Sequence, residues 1–458
     1  MRLRGLRRVL RRVTGPASPA SAGSADAVRP IRHLGPIRLA GLGINSVIGG
    51  GIFVLPAVVA ALVGPTSLFA YAAAGAVALG VGLVLGRLAS RHERSGGPFL
   101  YVQQAFGGFW GFQAGWLFCL ARLSAAASLL NAFARYVGQI VPGGSGLAGR
   151  AILVAIAALF VTGTNIAGIR QTARASNALA IIKIAPLVVL GIAGLGILDT
   201  AGLRPVAVEP MAFLRAVLLL IFAFSGFEIA TVSAEESLRP RRDVPVALLT
   251  TILSVGALYL LVHTVALGSL PDLARERAPL ATIAHRLGGS AALYAMTAAA
   301  ALSTAGCSLA SLVGGTRVLY AMSATLQIPA WIGALHAVRR TPVNASLLMG
   351  TAAAVLAVGG RYEWLSAISA GTRLLVYLGC CLACLRPAAA AASGAAAGGA
   401  AFGGRLTALL TAGAVVILLF GLELTEAVAG MIGLGIGMVL YTAARRARAA
   451  FARRGEGP

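Results

Sequence analysis

Two short stretches and one lone cation carry the residue types from which this chain could build a site. Gly49-Gly50-Gly51 stands inside the first long apolar run, just after Asn45, Ser46 and Ile48. Ala223-Phe224-Ser225-Gly226 stands inside a later apolar run, with Glu228 two residues beyond. Each glycine costs a helix about 1 kcal/mol relative to alanine, so an unbroken helix through three of them is disfavoured. A helix restarting after Gly51 would present unpaired N–H groups and a positive dipole end, which suit a carboxylate. Helices stopping near Ile48 and near Phe224 would present unpaired carbonyls, which suit an ammonium group. Donors on one side and acceptors on the other match a zwitterion, and an α-amino acid is the simplest such solute. Lys183, the only lysine in the chain, lies in a third apolar run.

The elements that must position these residues follow from composition. Hydrophobic residues make up 58% of the 458 and charged residues only 11%, against about 25% charged in a soluble domain. Such a chain has too little polar surface to cover itself in water, and its apolar runs read as membrane-spanning helices of about 20 residues. About twelve are expected, near 36–62, 66–89, 108–138, 149–167, 172–197, 212–236, 245–269, 289–322, 343–360, 363–385, 405–421 and 424–443. Loops are short apart from 90–107, 200–211, 270–288 and 323–342, with an Ala/Gly-rich linker at 387–404.

The net charge of +24 suggests nucleic acid until the positions of the basic residues are read. Eight arginines crowd residues 1–33, others recur at alternate connections such as Arg87, Arg91 and Arg94 or Arg239, Arg241 and Arg242, and five close the C-terminus. Acidic residues dilute the intervening connections. This is the positive-inside pattern: it places both termini in the cytoplasm, favours anionic headgroups and leaves no case for nucleic-acid binding. Residues 1–12 are too densely charged for a signal peptide. The five cysteines lie inside apolar runs and read as small packing residues, Cys381-x-x-Cys384 included. The five histidines are scattered without Cys or Asp partners at ligand spacing, so no metal or cofactor is called for.

In hydrocarbon every backbone polar group needs a partner, so an irregular stretch survives only where protein shields it or a cavity solvates it. Close packing accounts for most glycines in membrane helices. It accounts less well for a triple glycine matched by a second irregular site five spans later, and paired interruptions of this kind point to a binding site near the midplane.

At these residues the chain resembles the amino acid–polyamine–organocation (APC) superfamily permeases, of the bacterial amino-acid permease type. Gly41-Leu-Gly-Ile-Asn-Ser-Val-Ile-Gly-Gly-Gly-Ile-Phe-Val-Leu-Pro56 is similar to their opening signature. Ser95-Gly-Gly-Pro-Phe-Leu-Tyr-Val102, Phe222-Ala-Phe-Ser-Gly-Phe-Glu228, Ala234-Glu-Glu236, Arg317-Val-Leu-Tyr-Ala-Met322 and Thr341-Pro-Val-Asn344 follow in family order. The acidic residue usual after the Tyr-Ala-Met stretch is missing, since Ser323-Ala-Thr-Leu-Gln-Ile328 stands there. The resemblance implies an all-α membrane protein of the LeuT type. Its core at 35–386 would hold two inverted five-helix repeats, about 35–198 and 211–386, with discontinuous helices 1 and 6. Tails at 1–34 and 444–458 and two accessory helices at 405–443 complete the expected organisation. The implied function is secondary active amino-acid transport across the cytoplasmic membrane by alternating access, as proton symport. An amino acid/amine exchanger or a polyamine permease is the alternative.

Lys183 lies about 17 Å into the fifth span, a depth from which snorkelling to the surface fits poorly. In sodium-independent members of the resembled family a fifth-helix lysine occupies the place of sodium, which implies proton coupling through Lys183. For Glu228 the readings are proton sensing, gating, attraction of a cationic substrate, or ion pairing with an intramembrane arginine such as Arg122 or Arg373. Phe224, next to the second break, is expected to lie over bound solute and close the pathway. Glu235 and Glu236 read as structural, Glu235 standing four residues before Arg239. A membrane-embedded enzyme lacks a catalytic constellation here, and a channel would differ by unsaturated flux. Neither the transported side chain nor the oligomeric state follows from the sequence.

Overall fold

The computed structural model describes residues 34–91, 97–168, 173–232, 237–324, 327–336, 339, 341–386 and 399–453. The basic N-terminal tail, the Ser95-Gly96 and Ala234-Glu235-Glu236 motif residues, most of the Ala/Gly linker and the last residues of the C-terminal tail lie outside these. Every regular element among the described residues is helical. In chain order they are α1 (Pro36–Val47), α2 (Gly50–Val63), α3 (Ser67–Arg91), α4 (Gly97–Phe106), α5 (Gly108–Ile140), α6 (Leu147–Ala167), α7 (Ala173–Gly194) and α8 (Pro210–Phe224). There follow α9 (Ile229–Val232), α10 (Pro240–Ser269), α11 (Pro279–Ala324), α12 (Val343–Gly359), α13 (Tyr362–Leu385), α14 (Gly399–Leu419) and α15 (Leu424–Arg453).

Eight described helical stretches are long and apolar enough to cross a membrane, and three shorter apolar ones, Ile181–Ile197, Val343–Gly359 and Gly403–Leu419, accompany them. Local chemistry sets several starts. Proline occupies the first turn of α1, α8 and α10, where its missing N–H has no intrahelical partner to lose. Three expected loops carry structure of their own. The 90–107 connection contains α4, the 200–211 connection a 3-10 turn at Thr200–Leu203, and the 270–288 connection another at Leu273–Arg275. The first part of α11 also falls in that last connection, before a kink at Gly288 and Gly289.

Burial separates an inner from an outer set. The most apolar stretch of α5 is 83% buried, whereas that of α15 is 11% buried and that of α6 is 22%. Exposed apolar side chains such as Leu159, Phe160, Val355 and Phe420 therefore mark a lipid-facing surface. At the centre α5 packs against α11 and α13, while α2 packs against α8 and α1 against α10.

Candidate functional site

The first span breaks after Val47. Ile48 is extended (ψ 94°), Gly49 caps the next helix outside helical geometry (φ −134°, ψ −148°), and α2 starts at Gly50. The restart therefore falls two residues earlier than the sequence suggests, with Gly50 and Gly51 inside the helix. Their lack of side chains has a packing cause. A Cβ on Gly51 would lie 2.6 Å from the Ala223 Cα, so the start of α2 presses directly on the end of α8. The second span breaks where expected. α8 ends at Phe224, Ser225 is extended (ψ 146°), and Gly226 takes φ +119°, a region that side chains avoid. A Cβ on Gly226 would meet the Ser46 carbonyl oxygen at 2.7 Å. The two breaks thus touch twice, Gly51 against Ala223 and Gly226 against Ser46.

Between them lies a small cavity of about 30 Å³. Ser46, Gly49, Gly50, Gly51, Ala223, Ser225 and Gly226 line it, joined by Arg122 from α5, Cys307 and Ser311 from α11, and Arg373 from α13. Ile48 is buried and outside the lining. Phe224 also stands apart from it: its ring packs edge-on to Tyr259 at 5.4 Å and faces Gly75 and Gly256, while Phe222 lines the cavity.

Several carbonyls exposed by the first break already have partners. The Ser303 hydroxyl donates to the Ile48 carbonyl at 3.0 Å, and Lys183 Nζ donates to the Asn45 carbonyl at 3.4 Å. The Tyr259 hydroxyl reaches both Val47 O, at 3.2 Å, and Ala223 O, at 3.1 Å, and so joins the two breaks. Lys183 is 2% exposed, and its other neighbour is Cys307 Sγ at 3.5 Å. Cys307, read from sequence as packing, therefore stands between this ammonium group and the cavity.

At the second break Glu228 is fully buried and folds back, its Oε2 accepting the Gly226 N–H at 2.9 Å. Its Oε1 is ion-paired and hydrogen-bonded to Arg373 Nη1 and lies 3.6 Å from Arg122 Nη2. Of the readings open for Glu228, the pairing with these arginines is the one seen. Phe118 lies beneath both guanidinium groups, at 4.9 Å from Arg122 and 5.9 Å from Arg373.

A bundle of membrane-crossing helices that closes two broken spans around a small cavity defines a polytopic transport protein. Comparison with known proteins narrows this. A family model described as amino acid permease matches residues 34–422. An uncharacterized transporter of Mycobacterium tuberculosis is 30% identical over 415 residues, 90% of this chain and 90% of that protein. The serine/threonine exchanger SteT of Bacillus subtilis is 27% identical over 228 residues, covering 48% of this chain and 51% of the exchanger. The aromatic amino acid transport protein AroP of Corynebacterium glutamicum is 28% identical over 242 residues, 48% of this chain and 49% of that protein. The chain belongs to the amino acid permease family, whose members are transporters and not enzymes.

Proposed function

We propose that this chain is a secondary active transporter that carries amino acids across the cytoplasmic membrane by alternating access, driven by protons. Its twelve spans would comprise two inverted five-helix repeats and two accessory helices, with both termini in the cytoplasm. The substrate carboxylate would take N–H groups at Gly50 and Gly51, and the ammonium group the remaining carbonyl capacity at Ser46 and Ala223. The observation that carries the coupling is the bond from Lys183 Nζ to the Asn45 carbonyl, at the end of the first half-helix. A protonated Lys183 ties α7 to α1 by a charge-assisted bond, and loss of the proton weakens that tie. Proton release and movement of α1 then become one event.

The test is uptake of labelled amino acids into proteoliposomes under an imposed pH gradient, with sodium present or replaced by choline. Accumulation should follow the pH gradient and ignore sodium. Lys183→Ala and Lys183→Arg should both abolish it, since arginine keeps its proton throughout the accessible pH range. Accumulation surviving in both variants would reject the coupling role. Exchange is the second reading, favoured by similarity to a protein named as an exchanger. Uptake that requires preloaded amino acid and is indifferent to the pH gradient would select it.

A further inference from the structure

The charges around the cavity do not balance. Arg122 and Arg373 line it, and Lys183 stands behind Cys307 at its edge. Glu228 is the one carboxylate among the described residues in contact with these arginines. The other buried carboxylates are committed elsewhere: Asp243 to Ser237 and the Arg239 N–H, and Glu426 to Arg215. Both oxygens of Glu228 are engaged, one by Arg373 and the other by the Gly226 backbone.

Arg122 is left with the weaker share. It has only the 3.6 Å approach to Glu228, where Arg373 makes a direct hydrogen bond, and the Nε atoms of both arginines are buried without a hydrogen-bond partner. The residue is 7% exposed, and its guanidinium lies over the Phe118 ring, so water compensates little of its charge. A buried cation without a full counter-charge is costly, and a carboxylate brought to it recovers that cost through charge-assisted, bidentate hydrogen bonds. A neutral zwitterion adds no net charge to this site. A diamine or a cationic amino acid would bring like charge toward two guanidinium groups.

We propose that the site selects amino acids with a second carboxylate, the α-carboxylate held at the start of α2 and the side-chain carboxylate held by Arg122. This rests on the permease reading given above and specifies the substrate class of that same cavity. It also orders the alternatives: acidic solutes first, neutral ones next, and cationic amines last.

The test is uptake of labelled L-glutamate, L-aspartate, L-glutamine, L-asparagine, L-lysine and putrescine into the same proteoliposomes. Glutamate and glutamine have the same shape and differ at the group Arg122 would hold. Glutamate should be preferred over glutamine by about tenfold or more, the scale of a hydrogen bond to a charged group, and lysine and putrescine should rank lowest. Arg122→Gln leaves Arg373 on Glu228 and should reduce the glutamate-to-glutamine ratio by a similar factor, while Arg122→Lys should retain most of it. The ratio does not depend on how much protein folds. Glutamine equal to or better than glutamate, or a ratio unchanged in Arg122→Gln, would overturn the assignment while leaving the permease reading intact. Absence of uptake for every solute in the panel, even into preloaded vesicles, would overturn the acidic-substrate assignment, and uptake of serine, threonine or an aromatic amino acid in the same vesicles would leave the permease reading standing.

Discussion

The two breaks are held in different ways. Around the first, the holding groups are hydroxyls and an amine: Ser303 on Ile48, Tyr259 on Val47 and Lys183 on Asn45, at 3.0 to 3.4 Å. Around the second, a carboxylate bonds the Gly226 backbone on one side and Arg373 on the other. Neutral hydrogen bonds contribute about 0.5–1.5 kcal/mol each and one from a charged group such as Lys183 about 1.5–3 kcal/mol, whereas breaking a buried ion pair costs about 3–5 kcal/mol. The second break is therefore the anchored one. The first is held by several weak bonds, one of them from a titratable group, and on the proposed reading it is the part that proton exchange can release.

The largest effect that could break this comparison is expected at Glu228. Glu228→Gln leaves two buried guanidinium groups without an anion and should destabilise the protein by about 3–5 kcal/mol. Lys183→Met abandons no carboxylate, because the groups near Lys183 are a carbonyl and a thiol. It should leave stability unchanged or raise it. Thermal unfolding of the purified proteins in detergent measures both. Equal losses in the two variants would mean that the first break is anchored as firmly as the second.

A smaller loss is expected where the breaks press together. Gly51→Ala puts a methyl group within 2.6 Å of the Ala223 Cα, a backbone atom that cannot turn aside. Overpacking of this kind costs about 1–3 kcal/mol, and here it would also push α2 away from α8. Gly50→Ala meets the end of the Leu129 side chain at 2.9 Å, which can rotate, so its unfolding temperature should fall less. If Gly50→Ala proves the more damaging, the first break depends on its contact with α5 more than on its contact with the second.

Much of this arrangement is legible in the sequence. The helix ends near Phe224, the triple glycine as a break and the fifth-span lysine all follow from propensity and from the cost of irregular backbone in hydrocarbon. The exact restart at Gly50 does not, because helix propensity penalises each glycine alike and cannot register that the contact with Ala223 demands one. Phe224 illustrates a second limit. Residues two apart on a helix point about 200° apart, so Phe222 and Phe224 cannot share a face, and sequence alone does not say which of them meets the cavity. Tyr259, Ser303 and Cys307 come from α10 and α11, and their types match ordinary interior residues until the fold sets them against the breaks. Arg122 and Arg373 carried a signal, being arginines inside apolar runs. What they hold could be named as a choice, and their unequal share of Glu228 is purely a matter of tertiary geometry.

The smallest effect is expected at Tyr259, and it sharpens the comparison most because this hydroxyl touches both breaks. Tyr259→Phe keeps the ring and its edge-on packing against Phe224 and Tyr71. It removes the donor shared by Val47 O and Ala223 O. One hydroxyl proton divided between two carbonyls amounts to a single hydrogen bond, so the stability loss should be about 1 kcal/mol. Were the bond mainly to Ala223, the anchored second break would absorb the loss and initial uptake rates would stay close to those of the unmodified protein. Were it mainly to Val47, α1 would lose one of its few holding bonds, and uptake rates would change while the unfolding temperature barely moved. With the first break as the mobile one, the second pattern is expected: an altered uptake rate at nearly constant stability, closer to that of Lys183→Met than to that of Glu228→Gln.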